Sequence, residues 1–192
     1  MDARIQNNII TVANGLTADG IIINNAGGGT INALVGGSPG GNTIDYAGSQ
    51  RAIIAQAGQD GNGNTNLTVT GNSIDIKLDG ANNAVTGIFA QVAVTGPPAP
   101  SNTSAMCADL GGAGALSNTF THSLGGTLAA GDMRVRQRFD GTMRLPGYAG
   151  AATDTAAVAA FLNGRNAEVS PATATADSTG FGGGAACTQP SP

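Results

Sequence analysis

Two short patterns alternate along this chain, and their spacing restricts its fold more than any other feature. In the first, an Asn follows a small or polar residue and precedes, one residue later, a large apolar side chain: Asn8-Ile9-Ile10, Asn42-Thr43-Ile44, Asn72-Ser73-Ile74 and Asn118-Thr119-Phe120. The second is a short apolar strand that closes on an amide. It occurs at Gly20-Ile21-Ile22-Ile23-Asn24, Ala52-Ile53-Ile54-Ala55-Gln56, Gly87-Ile88-Phe89-Ala90-Gln91 and, more loosely, Met133-Arg134-Val135-Arg136-Gln137. The Asn series steps by 34, 30 and 46 residues and the strand series by 32, 35 and 46. Both lengthen at the same step, which puts one large insertion at about 95–132. Periods of this size mark stacked repeats, each unable to bury its apolar face alone.

Composition narrows the kind of repeat. Gly contributes 31 of the 192 residues, and charged residues only 10%. Gly and Asn interrupt every helical stretch of repeat length, which argues against helical solenoids. No hexapeptide rhythm supports a left-handed β-helix. Periodic aromatics, expected of propeller blades, are missing from a chain with 4% aromatics and no Trp. Strict alternation lets Ile21, Ile23, Ile74, Ile76, Leu78 and Ile88 face an interior while their neighbours face out. The expected fold is therefore all-β: a right-handed parallel β-helix of about four coils, with a short C-terminal capping helix and an extended tail. At ~4.8 Å per coil such a column is about 20 Å tall.

Leu67-Thr68-Val69-Thr70-Gly71-Asn72-Ser73-Ile74, followed by Gly87-Ile88-Phe89, resembles the repeat of right-handed parallel β-helix proteins. These include pectate-lyase-like enzymes and long secreted bacterial surface or passenger-like proteins. The resemblance covers about residues 4–138 and consists of scaffold residues. It implies that Asn8, Asn42, Asn72 and Asn118 are structural turn residues, each amide bonding the next. The family's catalytic signatures match nothing here, so no catalytic residue is carried over.

Residues 1–148 read as the coils and 149–192 as a cap. Within the cap, 154–162 reads as a helix: Thr153 or Asp154 caps its start, Ala fills its interior and Gly164 ends it. Cys107 and Cys187 lack metal-ligand spacing and are expected to form a disulfide that ties the tail to the insertion. With one Lys, few Glu and much Asn, Thr and Ser, the composition suggests secretion or the bacterial cell surface, where disulfides persist. Met1 reads as a start inside a longer protein.

Several side chains are candidates for chemistry. Asp75, Lys77 and Asp79 share the outward parity of one strand and form a carbohydrate-binding candidate, with a salt-bridged strand surface as the alternative. Asp60, Asn62 and Asn64 place oxygens at i, i+2 and i+4, a weak metal candidate whose alternative is a plain Gly/Asn turn. Arg134, Arg136 and Arg138 alternate on one strand face. They would either bind carboxylate or phosphate or stand as a solvated face opposite acids. His122, the only histidine, has no evident acid partner in sequence.

The expected function is a non-catalytic structural or adhesive scaffold, part of a larger surface-displayed protein and without a cofactor. Its expected partners are neighbouring coils of the parent protein, a second copy at the open N-terminal coil, or glycans. A glycan-binding or polysaccharide lyase or hydrolase module is the alternative, and a self-assembling filament or ice- or mineral-binding face a further one. Twelve acids against eight bases argue against nucleic acid as a partner. No apolar run approaches a membrane span.

Overall fold

The computed structural model describes residues 1–59, 61–78, 85–94, 103–177 and 179–191. The chain runs through successive triplets of short strands. The first is β1 (Asp2–Ile5), β2 (Ile9–Val12) and β3 (Ile21–Asn25); the second β4 (Gly29–Gly36), β5 (Thr43–Tyr46) and β6 (Arg51–Ala57). The third is β7 (Gly63–Thr70), β8 (Ser73–Ile76) and β9 (Thr86–Val92); the fourth β10 (Ala105–Leu110), β11 (Thr119–Thr121) and β12 (Met133–Gln137). Then follow β13 (Thr142–Arg144), the helix α1 (Thr155–Asn163), β14 (Thr173–Thr175) and β15 (Phe181–Gly182).

Each triplet gives one strand to each of three sheets, and every pairing is parallel. Sheet A runs β1-β4-β7-β10-β13-β15, sheet B β2-β5-β8-β11 and sheet C β3-β6-β9-β12-β14. Sequence positions three strands apart are thus neighbours in space, as the in-phase repeat requires.

Register turns the repeats into rows of like side chains. Ile10, Ile44, Ile74 and Phe120 align across sheet B, and Ile21, Ile53, Ile88 and Met133 across sheet C. Ile5, Val35, Val69 and Leu110 do the same in sheet A. These rows merge into one apolar cluster shared by all three sheets. Ile21, Ile23, Ile74, Ile76 and Ile88 are buried in it, and Leu78 packs on its margin. The region expected as one insertion is divided: β10 and β11 lie inside it and keep register with β7 and β8. Its extra residues fall in the connections around those strands, where length is free to vary.

The repeated Asn residues stand at the turn from sheet A to sheet B. Asn42 Nδ2 donates to Asn72 Oδ1 at 2.9 Å and to the Ile5 carbonyl at 2.8 Å, while its own Oδ1 accepts the backbone and side-chain N–H of Asn8 at 3.0 Å. Asn72 repeats the pattern toward Asn118 and the Val35 carbonyl, and Asn118 toward Asn166 and the Val69 carbonyl. A buried amide pays a large penalty for any unmet bond, so each rung demands the next. Just before one rung, Gly71 takes φ +66°, which a side chain would strain, and a Cβ there would meet the Gly37 carbonyl at 2.7 Å. The Asn row ends on Asn166, whose Nδ2 donates to the Leu162 carbonyl near the end of α1.

Helix α1 is capped at Asp154, whose Oδ1 accepts the Ala157 N–H at 2.9 Å. Val158 and Leu162 enter the core, and Phe161 meets Tyr148 edge-on with ring centroids 5.6 Å apart. Among the described residues no helix is long and apolar enough to cross a membrane.

The chain beyond β15 crosses the outer face of sheet A back toward β1. Arg144 donates to the Ala185 carbonyl, Cys187 is bonded to Cys107 of β10, and Gln189 donates to Thr68 of β7. Arg4 of β1 then holds the Pro190 and Ser191 carbonyls. Cys107 lies within a strand inside the expected insertion. The disulfide therefore anchors a strap to the middle of a sheet.

Asn72→Ala should destabilise the fold by about 2–4 kcal/mol, because it strips buried partners from Asn42 and from the Val35 carbonyl. Asn8→Ala, at the exposed end of the row, should change stability by about 0.5 kcal/mol or less. Urea unfolding of the two variants tests the difference; equal effects would mean that the interior rungs do not carry load.

Candidate functional site

The outer face of sheet B carries the sequence-predicted carbohydrate candidates. Register aligns Thr43, Ser73 and Thr119 in one exposed row, and Thr11, Asp45, Asp75 and Thr121 in the next. The hydroxyl residues thus recur from strand to strand, with the carboxylates in the middle of the second row. Asp75 accepts from Thr121 Oγ1 at 2.9 Å, from the Ser123 N–H at 3.0 Å and from Ser123 Oγ at 2.6 Å. Burial pushes the Asp75 carboxyl up, but these bonds and the nearby Lys77 outweigh it and hold it below its ordinary range. Lys77 Nζ reaches Asp45 Oδ2 at 2.7 Å, a bond that raises the ammonium above its ordinary value. Lys77 therefore pairs with the acid one strand away. Asp79 lies outside the described residues.

Each of these contacts joins one strand of sheet B to the next: Asp45 is on β5, Asp75 on β8, and Thr121 and Ser123 are on or beside β11. A carboxylate that accepts three donors has little basicity left for proton abstraction.

His122 sits beside this face, at the start of the loop from β11 to β12. Its side chain is 2% exposed and that of Asp132 0%. Nε2 lies 2.7 Å from Asp132 Oδ1 and Nδ1 2.8 Å from the Gly126 carbonyl. The carbonyl can only accept, so Nδ1 donates to it, and Nε2 shares a hydrogen bond with the carboxylate. Asp132 Oδ2 in turn accepts the N–H groups of Val169 and Ser170 at 2.7 and 2.8 Å. The acid partner that sequence does not reveal is thus ten residues on, brought back by the loop. Neither ring nitrogen is left free to take a proton from a bound molecule.

Glu168 borders this network. Its Oε1 is buried with no hydrogen-bond partner among the described residues, and Oε2 accepts the Ala172 N–H at 3.3 Å. Burial, reinforced by the negative charge of Asp132, raises the carboxyl to about 7 against the hydrogen bond from Ala172. A cavity of about 420 Å³ lies beside it, lined by Asn163, Asn166, Val169 and Pro171 among others.

The weak metal candidate does not converge. Asp60 lies outside the described residues, Asn62 Oδ1 accepts the Thr103 N–H at 3.0 Å, and the Asn64 backbone carbonyl accepts from Asn25. Among the described residues no three His, Cys, Asp or Glu side chains gather as metal ligands. Asn8, Asn42, Asn72 and Asn118 form the structural row described above, and Cys107 and Cys187 are bonded to each other. Arg134 and Arg136 alternate along β12 and Arg138 lies one residue past its end, not on the strand as the alternation suggests; all three are half-buried.

The chain matches no family model, no curated protein and no solved structure.

What these side chains do chemically is therefore read from their own contacts, and most of those contacts run from one strand to the next. Sequence reasoning missed Asn166 and the His122–Asp132 pair. The only signal for Asn166 was its amide, because Glu168 occupies the apolar position two residues on.

A carboxyl raised in the folded state favours folding only while protonated. The Glu168 contribution is complete below pH 4.5 and is lost as pH rises through about 7. Glu168→Gln should remove that decline and raise Tm at pH 8 by about 2–4 °C. Thermal melts of both proteins from pH 4 to 8 test this; parallel profiles would contradict it.

Proposed function

We propose that this chain is a non-catalytic scaffold, a right-handed parallel β-helix whose coils are the successive strand triplets. Support for the winding comes from three parallel sheets in which, through the four triplets, each neighbour is three strands away in sequence. Parallel strands joined by crossovers take the right-handed sense in about 98% of cases. Support for the scaffold role rests on one observation above all. The side chains best suited to chemistry, Asp45, Asp75, Lys77, His122 and Asp132, bond across strands or brace loops against them. Their ordinary reactivity is given over to holding the stack.

Surface display outside the cell suits such a scaffold, and the Cys107–Cys187 disulfide favours an oxidising compartment. The outer edges of β1, β2 and β3 have no partner strand among the described residues. They would accept further parallel strands, from an adjoining segment or a second copy.

A second reading, glycan binding without cleavage, draws support from the exposed Thr43, Ser73 and Thr119 row beside Asp45 and Asp75. Flat rows of hydroxyls suit sugar hydroxyl recognition, although no aromatic side chain lies in either row to stack on a ring.

Incubation with a panel of neutral and acidic polysaccharides, with and without Ca²⁺, should release no reducing ends or unsaturated products. Asp75→Asn should instead lower Tm by several degrees, because the amide presents N–H groups where Thr121 and Ser123 also donate. Turnover that Asp75→Asn or His122→Ala abolishes without a fall in Tm would contradict the scaffold reading.

A further inference from the structure

The eight cations of this chain are not treated alike. Arg51, Lys77 and Arg165 each pair with an aspartate on a neighbouring element, at 3.5, 2.7 and 2.5 Å. Arg4 and Arg144 donate to carbonyls of the C-terminal strap. Of the remaining three, Arg134 and Arg136 stand at alternate positions of β12 and project from the outer face of sheet C, and Arg138 follows one residue beyond the strand.

A solvated strip of this kind would be expected to pair with acids, and among the described residues none of the three forms a salt bridge. The cross-strand neighbours of Arg134 are Phe89 and Thr173, and those of Arg136 are Gln91 and Thr175. Two of the three guanidiniums are held in position. Arg134 lies over the Phe89 ring at 5.5 Å, and Arg138 lies over Phe139 at 4.5 Å while donating to the Val94 carbonyl. Arg136, between them, makes no hydrogen bond among the described residues, and neither does Arg134. The acid whose charge reaches Arg136 is Asp177, and its Oδ2 already accepts the Phe139 N–H. Burial and the flanking Arg138 and Arg134 push the Arg136 guanidinium below its ordinary value. Such half-buried like charges are unfavourable unless an anion joins them.

The surplus identifies the anion. Three guanidiniums against one carboxylate leave about two positive charges and many unused donors. A phosphate monoester carries about −1.5 to −2 at neutral pH and three strong acceptor oxygens; a carboxylate brings one charge and two oxygens. A dense polyanion is disfavoured, because the other five cations are outnumbered by the twelve acids. Thr173 and Thr175 beside the strip offer neutral polar contacts to whatever carries the phosphate.

We propose that the outer face of β12, with Arg138 just past its end, binds inorganic phosphate or a phosphate monoester between the guanidiniums of Arg134, Arg136 and Arg138. The site is independent of the scaffold reading, which stands or falls on turnover; this one is read by binding.

Calorimetric titration of the full chain with inorganic phosphate, glucose 6-phosphate and galacturonate tests it. Both phosphate probes should bind, and the tighter of the two identifies the free ion or the ester as the fitting source. Galacturonate should bind more weakly than either. Arg136→Gln should weaken phosphate binding by at least about ten-fold, as expected for a lost charge-assisted contact. Lys77→Gln, on sheet B, should bind as the parent does. In phosphate-free buffer Arg136→Gln should melt at the parent temperature or above it, since the change relieves repulsion. Unchanged phosphate binding in Arg136→Gln, no phosphate binding by the parent, tighter binding of galacturonate, or a lower Tm in Arg136→Gln would each overturn the proposal.

Discussion

The structure depends on a carboxamide at a corner. Where the chain turns from sheet A to sheet B, strand pairing is interrupted and backbone groups at the bend need partners. An Asn there supplies two donors and a carbonyl oxygen within one short side chain. At Asn42 and Asn72 one N–H satisfies a sheet A carbonyl of the preceding triplet, and the other reaches the Asn of the following triplet. The oxygen closes the bond from the Asn before. A slip by one residue would leave donors and acceptors unmatched in a nearly dry environment, at about 1–3 kcal/mol for each orphaned group. The row therefore sets register as well as holding it. Connections elsewhere can vary in length, as they do between Val92 and Ala105, provided the next Asn arrives at the corner.

Polar bonds at the periphery continue the same logic. Asp45–Lys77 and Asp75–Thr121 tie consecutive strands of sheet B. The buried His122–Asp132 pair fastens the loop after β11 to the backbone of Val169 and Ser170. Arg165, reaching Asp109, joins the segment after α1 to β10. The strap from Gly183 to Ser191 then crosses sheet A from its last strands to its first. Contacts in a stack of this kind are local, and a crossing strap with a covalent anchor adds a long-range tie. Against this pattern Arg134, Arg136 and Arg138 stand out, since none of them forms a salt bridge with a carboxylate among the described residues.

Much of the architecture was legible because it is periodic. The Asn-x-apolar pattern marked the corners at residues 8, 42, 72 and 118, and alternation separated Ile74 and Ile76 from Asp75 and Lys77. Helix α1 announced itself through Asp154, an Ala-rich interior and Gly164. Features that depend on register across connections were not legible. The fifth rung, Asn166, lacks the apolar residue two positions on, because there the chain leaves a helix and makes a single bridge at Ala167. Cys107 fell in the expected insertion, with Gly111 to Gly114 close behind it, yet Ala105–Leu110 is a strand that aligns Met106, Ala108 and Leu110 with Thr65, Leu67 and Val69. Asp132 could not be assigned to His122 from spacing alone, since the loop that joins them has no regular period. The strap has almost no apolar residues, and its course is set by partners on strands far away in sequence.

A double-mutant cycle at adjacent rungs tests the central claim most directly. Asn72→Ala and Asn118→Ala would be made singly and together, and unfolding free energies measured in urea. If each amide needs the next, the two losses overlap, and the double variant falls short of their sum by at least about 1 kcal/mol. Additive losses, with no coupling between Asn72 and Asn118, would contradict the account.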